Sequence, residues 1–244
     1  MRVDAGGSVN RELTNFIRFC MDELLPPVIR DSRWFMAPFF MAAYGTFNVR
    51  PIMDFKSRVY GMSEADYARF YAELGNSVSR RRTTDLNRAS IDWLLRQIPG
   101  DAHSIVDIGC GNGFLLRHVR AHLPLPVLTG CDVTTSPDLP QSTDYRQALL
   151  PHLPFADGEF DVVLCTHVLE HVIDLAAAAR ELLRIAKDRV LIVVPRQRYF
   201  YFTLDEHVNF FWQAESLIRH FDGHCVEATN AGGDWAIAVR KAGG

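Results

Sequence analysis

The chain has few cysteines, no long apolar run and no repeated or low-complexity segment. Its 244 residues include five cysteines, an odd number, and none of them forms a C-x-x-C pair. This pattern argues against a disulfide scaffold and favours free thiols in a reducing compartment. No apolar run reaches the ~20 residues that span a bilayer, and the polar segment 1–12 does not resemble a secretory signal. We therefore expect a soluble, cytoplasmic protein.

The chain also lacks an excess of charge of either sign. It holds 26 basic and 29 acidic residues, which gives a formal net charge of −3. A nucleic-acid-binding domain usually carries a basic footprint, so we expect no nucleic acid among the partners. Apolar residues make up 48% of the chain, which is enough for a sizeable core.

A glycine-rich segment is the most informative feature that is present. The short apolar run 104–108 contains Asp107, and a helical pattern begins at Phe114. Between them, glycines occupy three alternate positions: Gly109, Gly111 and Gly113. A strand that turns into a helix through glycines offers open backbone and free N–H groups to a ligand. The segment could also be a purely structural turn.

The spacing of the glycines separates two classes of ligand. The dinucleotide fingerprint G-x-G-x-x-G requires a third glycine at position 114, where this chain has Phe114. A nicotinamide-dependent oxidoreductase is therefore the less favoured alternative. The carboxylate of Asp107 would repel a pyrophosphate, but it suits a ligand that carries a cation. S-adenosylmethionine (SAM) carries both an ammonium and a sulfonium group.

The segment VDIGCGNG resembles the first motif of the class I SAM-dependent methyltransferases. Three later segments follow in the family's order: Pro126–Asp132 as its second strand, Leu153–Val172 as its LPF…FDVV…LEHV stretch, and Val190–Pro195 as its fifth strand. The resemblance covers roughly residues 90–240. It implies an α/β fold of the Rossmann-like, doubly wound type. The sheet should have seven mostly parallel strands, with the last strand antiparallel.

The resemblance also implies SAM as the cofactor, with S-adenosylhomocysteine as the product. The implied cofactor-binding residues are Asp107, Gly109, Cys110, Gly111, Asn112, Gly113, Asp132, Leu153, Cys165 and Thr166. Asp132 would accept the ribose hydroxyls. The chain departs from the family where Ala148-Leu149-Leu150 replace an acidic or amide residue that holds adenine. Main-chain groups or another side chain would then hold it.

The remaining pattern divides the chain in two. Residues 1–88 predict a helical N-terminal cap or substrate lid, and residues 89–244 predict the methyltransferase domain. The cap includes a helical stripe at Leu13–Leu25 and the very apolar segment Trp34–Tyr44, which Pro38 should break. That apolar segment could be core, a lid, a dimer face or a peripheral membrane contact. The oligomeric state is not indicated.

Helices and strands can be placed from periodicity and capping signals. Helices are expected over 63–74, from a cap at Thr84 or Asp85 to Ile98, over 176–187 and over 214–221. Strands are expected near 104–108, 127–131, 143–147, 160–165, 189–194, 225–229 and 235–240. Lys187-Asp188-Arg189 replace the family's glycine-rich turn and should form an altered loop. The basic run 80–82 is expected to be a solvated face or a contact for an anionic substrate.

Two histidines are candidate catalytic residues. His167 follows the fourth predicted strand, and His207 lies in the segment Tyr199–Trp212, which has seven aromatic residues in fourteen. An oxygen or nitrogen acceptor must lose a proton, and an ordinary histidine has a pKa of ~6.5. His207 could instead be a plain hydrogen-bond donor. His171 should lie inside the next helix; the pair His167 and His171 could ligate zinc, but we expect no metal.

These features predict a methyltransferase that modifies an oxygen or nitrogen atom. Its acceptor would be a small or medium molecule: a natural product, a sugar or glycan, or a lipid-linked compound. A catalytically silent SAM-binding partner of another enzyme is the main alternative. The missing adenine-binding acid favours that alternative, whereas the intact glycine loop and Asp132 oppose it.

Overall fold

The structure is a computed structural model that describes residues 20, 24–44, 49–73, 83–123, 127–134, 139–204 and 206–242. Most of the predicted helix Leu13–Leu25 lies outside the described residues, and so does the basic run 80–82.

A seven-stranded sheet forms the centre of the protein. Its strands are β1 (Ser104–Ile108), β2 (Val127–Asp132), β3 (Thr143–Gln147), β4 (Phe160–Thr166), β5 (Ala186–Pro195), β6 (Cys225–Ala231) and β7 (Asp234–Arg240). They are arranged in the order β3-β2-β1-β4-β5-β7-β6. Strands β1 to β5 pair in parallel, and β7 is antiparallel to both of its neighbours. The fold class predicted from the sequence is confirmed.

Helices cover both faces of this sheet. On one face lie α6 (Arg88–Gln97) and α7 (Phe114–His122); on the other lie α8 (Leu175–Ile185), the short α9 (Glu215–Ile218) and a 3-10 turn at Arg219–Phe221. Alternate residues of β1 serve the two faces, with Ile105 in one apolar cluster and Val106 in the other. Both are fully buried, as in a central parallel strand. The predicted helix 214–221 is thus split into an α and a 3-10 part.

Two predicted boundaries were wrong. The helix before β1 begins at Arg88 and is capped by Asn87, whose side chain accepts a hydrogen bond from the Ser90 amide at 3.0 Å. Thr84 instead closes a local turn by accepting from the Leu86 amide. The supposed loop Lys187-Asp188-Arg189 belongs to β5. Its charges are tolerated there because Arg189 donates to the Gln97 carbonyl at 2.9 Å.

The N-terminal part is helical, as predicted. It contains α1 (Pro27–Arg30), α2 (Arg33–Tyr44), α3 (Val49–Met53), α4 (Phe55–Arg58), a 3-10 turn at Val59–Gly61, and α5 (Glu64–Glu73). Pro38 lies inside α2, so the predicted break was wrong. Proline removes one helix hydrogen bond, but Met36 and Phe40 on either side are buried against Phe202 and stabilise the helix. No helix in the described part of the chain is long and apolar enough to cross a membrane.

Candidate active site

The turn from β1 into α7 forms an open backbone cradle. The φ values of its three glycines are positive, which is rare for residues that carry a Cβ. They are 76° at Gly109, 50° at Gly111 and 73° at Gly113. A Cβ on Gly109 would lie 2.2 Å from Cγ2 of Val168, whereas a Cβ on Gly111 would meet no atom within 4 Å. Gly109 is therefore needed for close contact with the turn after β4. Gly111 leaves space that a ligand can approach.

Asp132 meets this cradle from the end of β2. Its Oδ2 accepts a hydrogen bond from the Gly111 amide at 2.9 Å, and its Oδ1 accepts from the amide and the hydroxyl of Thr134 at 2.9 and 3.0 Å. The structure thus brings together the glycine loop and the acidic residue that the sequence analysis paired. The carboxylate orders the loop. Oδ2 keeps a further lone pair for a ligand, and Oδ1 gains one when the Thr134 hydroxyl turns away.

Asp107 lies at the same edge and is in a different environment. Its side chain is buried, and its Oδ1 has no hydrogen-bond partner within the described residues. Burial, together with the negative charge of Asp132, raises the pKa of Asp107 to about 8. A buried carboxyl group beside a second carboxylate favours a bound cation, which would compensate both charges. An ammonium-bearing ligand with ribose hydroxyls, such as SAM, fits these two acids.

The other predicted cofactor residues have more varied surroundings. Asn112 shapes the loop, since its side chain accepts from the Phe114 amide and donates to the Thr83 carbonyl, both at 3.0 Å. Cys110 and Cys165 are buried, and burial raises the pKa of both thiols, so neither is a ready nucleophile. Thr166 is half-buried at the end of β4.

Leu153 packs in the main apolar core, and its amide donates to Glu181 at 3.0 Å. These contacts are those of a core residue. At the adenine position, Ala148 donates its amide to the Asp132 carbonyl at 3.0 Å. The exposed Gln147 is the last residue of β3, and its amide donates to the Val133 carbonyl at 2.8 Å.

His167 lies between two buried acids at the end of β4. Its Nδ1 is 3.2 Å from Glu170 Oε1, and its Nε2 is 3.7 Å from Asp234 Oδ2. Burial alone would lower the pKa of His167, but the interactions with Asp234 and Glu170 outweigh it and raise the pKa to about 10. At neutral pH the ring is therefore an imidazolium, which cannot accept a proton. Its φ of 52° indicates a constrained position.

Sequence reasoning missed Asp234, which completes this arrangement. The residue begins β7 and lies opposite Pro195 of β5, so the antiparallel strand starts at the edge where the parallel strands end. Its Oδ2 also accepts a hydrogen bond from Asn87 at 2.8 Å. The signal was present in the sequence, because an antiparallel last strand must begin at that edge.

His207 is buried in the aromatic loop, which we define as residues 199–212. Its Nδ1 lies 2.7 Å from Oε1 of Gln197, and its ring meets that of His171 edge to face, with centroids 4.9 Å apart.

The prediction that His171 lies inside a helix was wrong, because it lies in a turn. The helix after it starts only at Leu175, where the Asp174 side chain accepts from the Ala177 amide at 2.8 Å.

Side chains of the N-terminal part hold the aromatic loop by its backbone. Arg30 donates to the Tyr199 carbonyl at 3.0 Å, Lys56 donates to the Phe200 carbonyl, and Asp31 accepts from the Tyr201 amide at 2.8 Å. Further along, the Tyr44 hydroxyl donates to the Leu204 carbonyl. These bonds join the loop to the N-terminal part.

Lys56 also contacts the aromatic rings of this loop. Its Nζ lies 4.1 Å from the centre of the Phe210 ring and 5.0 Å from that of Tyr199. Burial lowers the pKa of Lys56 to about 7, and the charge of Asp31 opposes this shift. No sequence pattern points to this lysine, because α4 is short and the contacts described above are with residues distant along the chain.

Comparison with known proteins adds information about the central segment. Residues 106–194 match a family model described as a methyltransferase domain. A demethylmenaquinone methyltransferase from Roseiflexus sp. (strain RS-1) is 34% identical over 96 residues, which are 36% of this chain and 40% of that protein. A ubiquinone biosynthesis O-methyltransferase from Dechloromonas aromatica (strain RCB) is 32% identical over 98 residues, which are 36% of this chain and 41% of that protein. The matches thus span about two fifths of each relative's length.

One solved structure has a similar fold over a longer part of the chain. It is an O-methyltransferase family protein from Burkholderia thailandensis, 14% identical in sequence, with a TM-score of 0.51. The similarity covers 78% of this chain and 63% of that chain. At this identity it concerns the fold alone.

Proposed function

The chain carries a class I SAM-dependent methyltransferase domain with SAM as its cofactor, and on that premise we propose that it methylates an oxygen or nitrogen atom of a small or medium acceptor. The observation that carries this proposal is the cradle at the carboxyl edge of the sheet. It combines open glycine backbone with two acids, and Asp107 has an oxygen without a hydrogen-bond partner among the described residues. A cationic ligand is what such a site stabilises.

In this proposal the glycine loop and the two acids bind the cofactor. Asp107 pairs with the ammonium group, Asp132 accepts the ribose hydroxyls, and the amides of 109–113 contact the remaining polar atoms. Thr166 and the backbone at Cys165 border the methyl group, while Leu153 supports the site from the core. When bound, the cofactor supplies a methyl group on a sulfonium, which is ready for in-line displacement.

The aromatic loop and the cap form the acceptor side. Residues 1–88 serve as the cap and residues 89–244 as the methyltransferase domain. Aromatic walls exclude water, and holding the acceptor in line supplies much of the rate. His207 is the catalytic residue that contacts the acceptor's reacting group. His167, held as a cation by Glu170 and Asp234, positions the end of β4 and does not serve as the base.

The acceptor belongs to the natural-product, glycan or lipid-linked classes. The two sequence relatives are named a demethylmenaquinone methyltransferase and a ubiquinone biosynthesis O-methyltransferase. Both names favour the lipid-linked class, and the second favours oxygen as the methylated atom. Helix α2 exposes three large apolar side chains: Trp34 (75% exposed), Phe39 (43%) and Met41 (44%). This exposed apolar surface suits peripheral contact with a lipid surface.

The cofactor assignment is tested by measuring SAM affinity with calorimetry in Asp132→Ala and Asp132→Asn. Each carboxylate hydrogen bond is worth about 1.5–3 kcal/mol, so losing two should weaken binding by more than about 100-fold in Asp132→Ala. Asp132→Asn retains one acceptor oxygen and should fall between that variant and the wild type. Asp101→Ala, in an exposed turn, is the control and should bind normally. Unchanged affinity in Asp132→Ala would remove the ribose assignment.

A silent SAM-binding partner is the second candidate. The apolar residues at the adenine position favour it, because a weakened cofactor site suits a regulatory protein better than an enzyme. It predicts SAM binding without methyl transfer to any acceptor fraction, whereas the proposed enzyme predicts both.

A further inference from the structure

Three side chains that commonly bind metals meet where the aromatic loop crosses the turn after β4. Glu170 and His171 lie in the turn and His207 lies in the loop; one ligand atom of each is within 4.8 Å of the other two. From this arrangement we propose that these three residues bind one zinc-type divalent metal ion beside the acceptor. Its role in catalysis rests on the proposed function, but its binding does not.

Glu170 supplies an independent indication of a missing cation. Its side chain is 1% exposed; Oε1 lies 3.2 Å from His167 Nδ1, while Oε2 has no hydrogen-bond partner in the described part of the chain. A buried carboxylate oxygen without a partner costs free energy. A bound cation would remove that cost without displacing the contact with His167.

The two histidines are oriented as metal ligands usually are. His207 Nδ1 lies 2.7 Å from Gln197 Oε1, and His171 Nδ1 lies 3.3 Å from the Glu206 carbonyl. When each Nδ1 donates its proton to that oxygen, Nε2 becomes the ligand atom. Such outer hydrogen bonds fix the tautomer and the direction of the ring at metal sites. The donor set of two imidazoles and one carboxylate is one that zinc prefers.

The backbone around the three ligands is already fixed. The amides of Val208 and Asn209 donate to the Glu170 carbonyl at 2.7 and 2.9 Å. The Asn209 side chain donates to the carbonyls of Leu169 and Val172 at 2.9 and 2.6 Å. Ligand atoms of a tetrahedral zinc site lie about 3.4 Å apart. Side-chain rotations that move each ligand atom by about 1 Å would therefore bring the three atoms to the spacing of a zinc site.

This site gives His207 a definite role in the proposed reaction. Three protein ligands leave an open position on the ion, which an acceptor hydroxyl can occupy. The ion lowers the pKa of that hydroxyl, which then releases its proton to solvent and presents an oxyanion to the methyl group. In this scheme His207 acts on the acceptor's reacting group through the ion, because its Nε2 is a metal ligand. In the sequence, the spacing of His167 and His171 is that of a possible pair of zinc ligands. The structure instead groups His171 with Glu170 and His207.

The test uses the full chain, stripped with a chelator and dialysed against Zn²⁺, with bound metal measured by mass spectrometry. Titration with Co²⁺ gives a second readout, because its visible absorption reports nitrogen and oxygen ligands. The wild type should bind one equivalent with either ion. Glu170→Gln should bind at least tenfold more weakly, and Gln197→Leu should bind roughly 10–100-fold more weakly because it removes only the outer hydrogen bond. His122→Ala, an exposed histidine of α7, should bind as the wild type does.

Circular dichroism and SAM affinity identify variants that fail to fold. If Glu170→Gln does not fold, Gln197→Leu and the wild-type Co²⁺ spectrum decide. The proposal is overturned if the wild type binds no equivalent, or if the folded variants bind as tightly as the wild type. Methyl transfer that survives the chelator in the stripped protein would overturn the ion's catalytic role and leave the proposed function intact. If the protein binds one equivalent of metal but transfers no methyl group, the proposed function is contradicted and the metal site stands.

Discussion

At the scale of single residues, Asp107 and Asp132 show how environment gives two neighbouring acids different roles. Asp132 accepts hydrogen bonds from Gly111 and Thr134 on both of its oxygens, so its ionised form is satisfied within the protein. Asp107 is buried, and its Oδ1 has no such partner among the described residues. The first acid orders the loop before a ligand arrives, and the second needs a cation.

Asp107 predicts that SAM binding releases a proton. The pKa of Asp107 is about 8 in the unliganded protein, so the group is mostly protonated at pH 7. An ammonium beside it favours the ionised form, and the proton leaves. Calorimetry at pH 7 in two buffers of different ionisation enthalpy should detect about one proton released by the wild type and none by Asp107→Asn. Equal release by both proteins would contradict the assignment.

The same pKa has a consequence for stability. The folded pKa of Asp107, about 8, lies above the ordinary value of 3.8, so between these pH values the folded state binds more protons than the unfolded state. The free energy of unfolding of the unliganded protein therefore falls as pH rises from about 4 to 8. Urea titrations should show this fall in the wild type and a shallower dependence in Asp107→Asn.

Gly109 predicts a steric defect that a matched glycine does not share. Gly109 and Gly158 have φ values of 76° and 62°, so an alanine costs about 1–2 kcal/mol of backbone strain at either. At Gly109 the new Cβ also meets Val168, which adds about 1–3 kcal/mol. Urea unfolding should therefore show a larger loss in Gly109→Ala than in Gly158→Ala, and Val168→Ala should restore part of it. Equal losses would mean that the contact with Val168 is unimportant.

At the scale of elements, most of the sheet was predictable because its central strands are continuous apolar runs. The carboxyl-edge rule for parallel strands also placed Asp107, Asp132 and His167 at one edge. The extension of β5 through Lys187–Arg189 was not predictable, because these charged residues resemble a loop. Partners elsewhere in the fold hold them: Lys187 Nζ lies 3.3 Å from Asp161 Oδ1, and Arg189 donates to the Gln97 carbonyl.

The ionised state of His167 could not be read from the sequence either. It depends on Glu170 nearby and on Asp234, which only the return of β7 brings to the end of β4. An isolated histidine would be a candidate base, whereas a histidine between two buried acids is a cation. Assigning roles to titratable residues therefore needs the neighbours that the fold supplies.

The contact between α4 and the aromatic loop predicts that Lys56 orders the loop. Lys56→Met removes the bond to the Phe200 carbonyl and the charge above the Phe210 ring. At pH 6, below the Lys56 pKa of about 7, hydrogen–deuterium exchange of amides 199–203 should become about tenfold faster, because a lost bond from a charged group is worth about 1.5 kcal/mol or more. SAM affinity should stay within about twofold. Arg58→Met, an exposed basic residue of the same helix, should change neither quantity.

At the scale of the whole molecule, the N-terminal helices expose several large apolar side chains. Trp34 is 75% exposed, and Val28 on the preceding helix is 79% exposed. If the acceptor is lipid-linked, flotation with vesicles of mixed neutral and anionic lipid should recover the wild type and lose Trp34→Ser. Tyr60→Ser, at an exposed position of the 3-10 turn after α4, is the control. No flotation of the wild type would confine the acceptor to water-soluble molecules.

The central claim is methyl transfer from the glycine-loop site to an acceptor held against His207. It is tested by incubating the protein with methyl-labelled SAM and a fractionated extract of its source cells, and counting label in lipid, glycan, protein and small-molecule fractions. Label should enter one fraction. It should disappear with Asp132→Ala, which loses the cofactor, and with His207→Ala, which should still bind SAM. Label in no fraction despite intact SAM binding, or full labelling by His207→Ala, would contradict the account.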